Sequence, residues 1–71
     1  MQVRSPEYQR FLRRLRAARE GSGLTQVEVA KALRKPQSFV SKSESGERRV
    51  DAVELGAFAK VYRKPLEFFL G

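Results

Sequence analysis

Proline, glycine and capping residues cut this chain into short helical segments, and that punctuation limits what it can fold into. Ser5-Pro6-Glu7 supplies an N-cap, a proline at the first helical position and an acid in the first turn. A helix can run from there to about Glu20, where Gly21-Ser22-Gly23 breaks it. Thr25-Gln26-Val27-Glu28 is a capping box, with Leu24 and Val29 placed as its hydrophobic staple. The second helix spans about Gln26 to Leu33. Pro36 stops or restarts the chain, because the residue before a proline avoids the α region. A third helix runs from about Gln37 to Ser45 and ends at Gly46. Asp51-Ala52-Val53-Glu54 is a second box-like start, with Val50 and Leu55 as its staple, and that helix continues to about Tyr62. Pro65 opens a last short helix through Phe69. Strand-like alternation is absent. The expectation is an all-α, five-helix fold in one domain over residues 1–71, with residues 1–5 as a flexible tail.

Apolar periodicity assigns the core. In the first helix Tyr8, Phe11, Leu12, Leu15 and Ala18 form one stripe. Arg10, Arg13 and Arg14 point away from it, whereas Arg19 lies beside Leu15 on the apolar side. The second helix buries Val29, Ala30 and Leu33 and leaves Val27 off the stripe. The fourth buries Leu55, Phe58, Ala59 and Tyr62 and leaves Val53 and Val61 off it. A chain of 71 residues buries only roughly 60% of its unfolded surface, so this core is modest.

Composition then removes whole classes of function. The chain has no Cys and no His, which takes away thiolate metal sites, disulfides, the commonest metal ligand and the commonest general base. With no nucleophile–base pair and no metal set, the expectation is no enzyme, no metal and no cofactor. No apolar run approaches the ~18 residues of a membrane span. Arg4 is not followed by the apolar stretch of a secretory signal, and a staple-free small domain fits the cytoplasm. Fifteen Lys and Arg against eight Asp and Glu give a net charge of +7, which points to a polyanionic partner. Residues 1–22 hold six basic and two acidic side chains, residues 23–46 four and two, and residues 47–71 five and four. The surplus is therefore greatest on the first helix.

The third helix carries the chemistry. On a helical wheel Val40, Ser43 and Glu44 share one side, with Val40 the only apolar anchor. Gln37, Ser38, Ser41, Lys42 and Ser45 spread over the other. An amide, small hydroxyls and one cation are groups that hydrogen-bond base edges and phosphates. Gln pairs bidentately with adenine N6/N7, and Lys reaches guanine O6/N7. A solvated helix face has the same composition. What sets this one apart is the short capped helix just before it, joined by a turn of about three residues: two helices so joined form a helix-turn-helix unit, here about residues 25–45.

Leu24-Thr25-Gln26-x-Glu28-Val29-Ala30, followed by Gln37-Ser38-Phe39-Val40-Ser41-Lys42-x-Glu44-x-Gly46-Glu47-Arg48-Arg49, resembles the Xre/Cro-type helix-turn-helix proteins, which include the lambdoid phage repressors. The similarity covers roughly Leu12 to Phe69. It implies a five-helix lambda repressor-like domain that binds duplex DNA, usually as a two-fold dimer. By resemblance, Gln37 reads a base, and Ser38, Ser41 and Lys42 occupy variable base-reading positions. Gln26 meets a phosphate and can brace Gln37, while Ser45, Arg48 and Arg49 meet the phosphate backbone. Arg19 and Glu44 match a buried ion pair between the first and third helices. Both project toward the core side of their helices, and an unpaired buried charge costs several kcal/mol, so each needs the other.

The sequence departs from that family in places. Ser43 stands where relatives carry a large apolar residue, a loss of ~1–3 kcal/mol of burial. Arg34 and Arg63 stand at helix ends where Gly is common, and Gly56 interrupts the fourth helix at ~1 kcal/mol. These point to a marginal fold, or one stabilised by association. Val53, Val61, Phe68 and Leu70 are candidate dimer contacts, and a dimer along the last two helices would set two recognition helices ~34 Å apart. The leading expectation is a transcriptional regulator, a repressor acting as a homodimer on a palindromic operator. The alternative is an antitoxin or other protein-interaction module whose main partner is a protein. Charge-driven RNA or nucleoid binding is a third class, weakened because no aromatics interleave the basic face.

Overall fold

The computed structural model describes residues 5–71, so residues 1–4 of the tail expected over residues 1–5 lie outside the described residues. Five α-helices follow one another: α1 (Pro6–Gly21), α2 (Gln26–Leu33), α3 (Gln37–Ser45), α4 (Ala52–Tyr62) and α5 (Leu66–Leu70). No strand occurs among the described residues. Helix α3 packs against α1 and α2, α2 against α4, and α5 closes the other side against α1 and α4.

Local chemistry explains the helix starts. The Ser5 hydroxyl accepts from the Tyr8 N–H at 3.1 Å and caps α1, as the Ser5-Pro6-Glu7 pattern anticipates, so Ser5 is part of the helix start and not of the tail. The Thr25 hydroxyl accepts from the Glu28 N–H at 3.1 Å, and the Glu28 carboxylate accepts from the Thr25 N–H at 2.9 Å. Asp51 and Glu54 repeat that reciprocal pair at 2.8 and 3.1 Å. Each box satisfies backbone donors that a helix start leaves without partners. Pro65 differs from expectation: its extended backbone (ψ 157°) places it just before α5, not inside it. Its carbonyl accepts from the Phe68 N–H at 3.0 Å.

The helix ends show more strain. Arg34 and Arg63 close α2 and α4 in the left-handed region, at φ 58° and 56°. Glycine occupies that region without a Cβ penalty, which for other residues is ~1–2 kcal/mol. Gly46 ends α3 at φ +86°, and a Cβ there would stand 2.9 Å from Leu12 Cδ1. The chain must turn at Gly46 directly against the core.

That core contains Phe11, Leu12, Leu15, Ala18, Val29, Ala30, Val40, Leu55, Phe58, Ala59, Tyr62 and Phe69. Tyr8, Leu24, Leu33, Val50, Val61 and Phe68 pack against it partly buried. One expectation needs correction: Val40 is not the only apolar anchor of α3. Phe39 is half-buried and stacks on Phe58 with ring centroids 5.9 Å apart, and Phe58 stacks in turn on Tyr62 at 6.0 Å. Ser43 is fully buried, and its hydroxyl donates to the Phe39 carbonyl at 2.7 Å. The small side chain thus loses apolar burial yet leaves no unsatisfied hydroxyl beneath α3.

Candidate nucleic-acid interface

Helix α3 is anchored from below by Val40, Ser43 and Phe39, so its opposite face is left to solvent. Gln37, Ser38, Ser41, Lys42 and Ser45 are all exposed there. The small side chains of Ser38 and Ser41 leave the helix backbone free to approach a groove floor closely. Ser45 has a local task as well. Its hydroxyl donates to the Lys42 carbonyl and accepts from the Glu47 N–H, each at 3.2 Å, finishing the last turn.

The structure brings four of the candidate residues into one chain of hydrogen bonds. The Arg19 guanidinium donates through Nε to Glu44 Oε2 at 2.6 Å and through Nη2 to Oε1 at 3.1 Å. Its third nitrogen donates to the Leu24 carbonyl at 3.1 Å, tying α1 to the start of the turn before α2. Side-chain exposures of 12% for Arg19 and 5% for Glu44 make this a buried, bidentate pair. Hydrogen bonding to Glu44 holds Arg19 above the ordinary arginine range, against the opposing effect of burial. Gln26 Nε2 donates to Glu44 Oε1 at 3.1 Å, and Gln37 Nε2 donates to Gln26 Oε1 at 3.2 Å. The chain runs from the α1–α3 joint to the exposed start of α3.

Arg48 and Arg49 do not join that chain. Arg48 donates from both terminal nitrogens to the Glu54 carboxylate, at 2.9 Å each, and from Nη1 to the Ser43 hydroxyl at 3.3 Å. Its guanidinium carbon lies 4.4 Å from the Phe39 ring centroid. Glu54 raises Arg48 above its ordinary range, and Arg48 in turn holds the Glu54 carboxyl below its own. Arg49 lies over the Tyr8 ring at 4.6 Å, and its buried Nη1 has no hydrogen-bond partner. Both cations are thus engaged at the joints of α4 and α1, where the family resemblance implied phosphate ligands.

Sequence reasoning missed several of these interactions. Arg48 and Glu54 are separated by a loop, so no helical period links them. Arg14 was expected to point away from the core, yet it is half-buried and donates to the Phe68 carbonyl at 3.0 Å. Phe39 carried a readable signal in its size, beside Val40 in a helix otherwise short of apolar anchors. Arg10 and Arg13 are exposed as expected. Of the proposed association residues, Val53 is 83% and Leu70 66% exposed. Val61 and Phe68 are instead half-packed against the chain's own core.

A small hollow of about 200 Å³ touches α3 at Phe39, beside Leu33, Lys35, Val53, Glu54 and Ala57. A groove of about 480 Å³ lies elsewhere, lined by Tyr8, Phe11, Arg49, Val50, Leu55 and Phe69 among others. Among the described residues no group of three His, Cys, Asp or Glu could hold a metal ion, and no helix is long and apolar enough to cross a membrane. The arrangement is a convex helix face able to offer amide, hydroxyl and ammonium groups to a surface. A family model described as a helix-turn-helix domain matches residues 10–67, from the second turn of α1 into α5. No curated protein matches the sequence.

Proposed function

Because the chain belongs to the helix-turn-helix domain family, we propose that it is an Xre/Cro-type transcriptional regulator that binds duplex DNA sequence-specifically. On this reading α3 enters the major groove. Gln37, Ser38, Ser41 and Lys42 address base edges, while Gln26 and Ser45 approach phosphates at its two ends. The observation that carries the reading is the braced amide of Gln37 at the exposed start of α3. A solvated helix face needs no such brace. Arg48 and Arg49 reach phosphate only if the DNA shares them with Glu54 and Tyr8, so they contribute less than their charge implies. The rest of the surplus charge, including Arg10 and Arg13, favours encounter with a polyanion.

The regulator acts as a repressor, in the cytoplasm on nucleoid DNA, through a two-fold homodimer on a palindromic operator. The exposed apolar side chains of Val53 and Leu70 support association, while Val61 and Phe68 are partly buried against the chain's own core and offer less. It works by binding, without catalysis or cofactor. Selection of bound duplexes from a random pool, followed by salt titration of the winner, tests this. The expected result is a palindromic motif held well above random DNA at ~0.15 M salt. A pool with no enriched motif would sink it. The second reading is a protein-interaction module such as an antitoxin. It draws on the same apolar residues and on Val27, which is 47% exposed on α2. That reading predicts a stable complex with a protein partner whose formation is lost on Val27→Lys while DNA binding persists.

A further inference from the structure

We infer that Glu44, a buried carboxylate that touches no base, fixes which way round Gln37 presents its amide to the base pair it reads. The inference rests on the base-reading role proposed above for Gln37 and names what enforces its specificity.

The argument is one of donor and acceptor sense. An ionised carboxylate only accepts hydrogen bonds, whereas a glutamine amide carries an acceptor at one end and two donors at the other. Arg19 donates to both oxygens of Glu44, through Nε and Nη2, so both act as acceptors. Gln26 can therefore face Glu44 only with its NH₂ end, as it does at 3.1 Å. Turned around, it would set two oxygens against each other in a site that is 5% exposed at Glu44. With its NH₂ end committed inward, Gln26 must aim Oε1 outward. Gln37 meets that oxygen with Nε2 at 3.2 Å and is held in the same sense by the same logic.

What remains at Gln37 is one free N–H and a free Oε1, side by side on the exposed start of α3. One donor beside one acceptor is the pattern that pairs with N7 and N6–H of adenine. The relay holds that pattern in place before DNA arrives, so less side-chain freedom is lost on binding. Glu44 is thus a positioning residue for the readout, beyond tying α3 to α1. Replacing its carboxylate by an amide removes the fixed sense, since an amide can offer either end to Gln26.

The test compares two duplexes: the selected operator, and the same operator changed at the base pair whose preference Gln37→Ala relaxes. The affinity ratio between them is measured for the intact chain, Gln37→Ala, Glu44→Gln and the double variant, below the melting point of each. Glu44→Gln is expected to lose about tenfold of that ratio, toward the lower end of what a bidentate amide–adenine pair supplies. The double variant should lose no more than Gln37→Ala alone. Gln26→Met leaves the Arg19–Glu44 pair intact and should lose the same ratio, which keeps the test valid if Glu44→Gln folds poorly. In the free protein, the side-chain NH₂ proton resonances of Gln26 and Gln37 should shift together in Glu44→Gln. A ratio kept by Glu44→Gln and Gln26→Met but lost by Gln37→Ala overturns this inference alone. A ratio unaffected by Gln37→Ala at every base pair overturns the base-reading role and this inference with it.

Discussion

Two Arg–Glu pairs bracket α3, both bidentate, and they differ in depth and in what they join. Arg19–Glu44 lies between α1 and α3 with side-chain exposures of 12% and 5%, and it continues through Gln26 to the exposed face of α3. Arg48–Glu54 lies between the loop after α3 and the start of α4 at 33% and 22% exposure, and it ends on the Phe39 ring. Both give α3 a rigid seat. Water still screens the second pair, so its charges were not fully desolvated and its loss leaves neither stranded. The first pair has no such recourse. A buried ion pair adds little over an apolar replacement, yet removing one partner is costly because the other remains charged and enclosed. The deeper pair therefore governs folding and orientation at once, while the shallower one trims the end of the helix.

That contrast can be broken by substitution. Glu44→Ala strands the Arg19 guanidinium and should lower unfolding free energy by ~3–5 kcal/mol, a large part of what so small a domain has. Urea denaturation checks it, and an unchanged midpoint would show that burial does not distinguish the pairs. Gly46→Ala strikes between them. It adds a left-handed penalty to a Cβ 2.9 Å from Leu12 Cδ1, for an expected loss of ~2–4 kcal/mol. A loss no greater than that of an ordinary exposed Gly→Ala change would mean that α3 can lift away from Leu12.

Arg48→Ala should cost less, ~1–2 kcal/mol, from a partly screened pair and the cover over Phe39. If it matched Glu44→Ala, exposure would not be what separates the two pairs. The Arg48–Glu54 pair also has a signature in acid. The folded Glu54 carboxyl titrates below its ordinary value of 4.5, because Arg48 hydrogen-bonds its ionised form. Its contribution is therefore complete above the unfolded value and is lost as pH falls through the lower folded value. Stability measured from pH 6 to pH 2 should fall less steeply for Glu54→Gln than for the intact chain; parallel curves would refute the assignment. The smallest effect on folding belongs to Gln37→Ala, under ~0.5 kcal/mol at an exposed position. The same change should relax preference at one base pair by ~1–3 kcal/mol. A uniform loss over all sequences would instead make Gln37 a phosphate ligand.

Much of this architecture is legible in the residues because it is local. Thr25 with Glu28, and Asp51 with Glu54, form reciprocal caps over three residues, and Gly46 ends α3 where its lack of a side chain requires. The core-facing placement of Arg19 and Glu44 follows from helical period, and each then needs a partner of opposite charge. Arg14 was misread for an equally physical reason. It lies off the apolar stripe, but α5 returns beside α1 and brings the Phe68 carbonyl within 3.0 Å, across 54 positions of sequence. Glu54 shows how one residue can hide a second task. Its carboxylate completes the cap of α4 and also receives both arms of Arg48.

The sequence by itself determined where helices start and stop, which stripe of each turns inward, and that α3 shows an amide, hydroxyls and one lysine outward. Those properties depend on backbone hydrogen bonds and side-chain spacing within a few residues. The pairing of Arg19 with Glu44 was legible in the sequence, whereas tertiary structure alone decided the partners of Arg14, Arg48 and Arg49. Arg48 went to Glu54 and Phe39, Arg49 to Tyr8 and Arg14 to the Phe68 carbonyl. Such pairings follow from the angles at which whole helices meet, and packing of the shared core sets those angles.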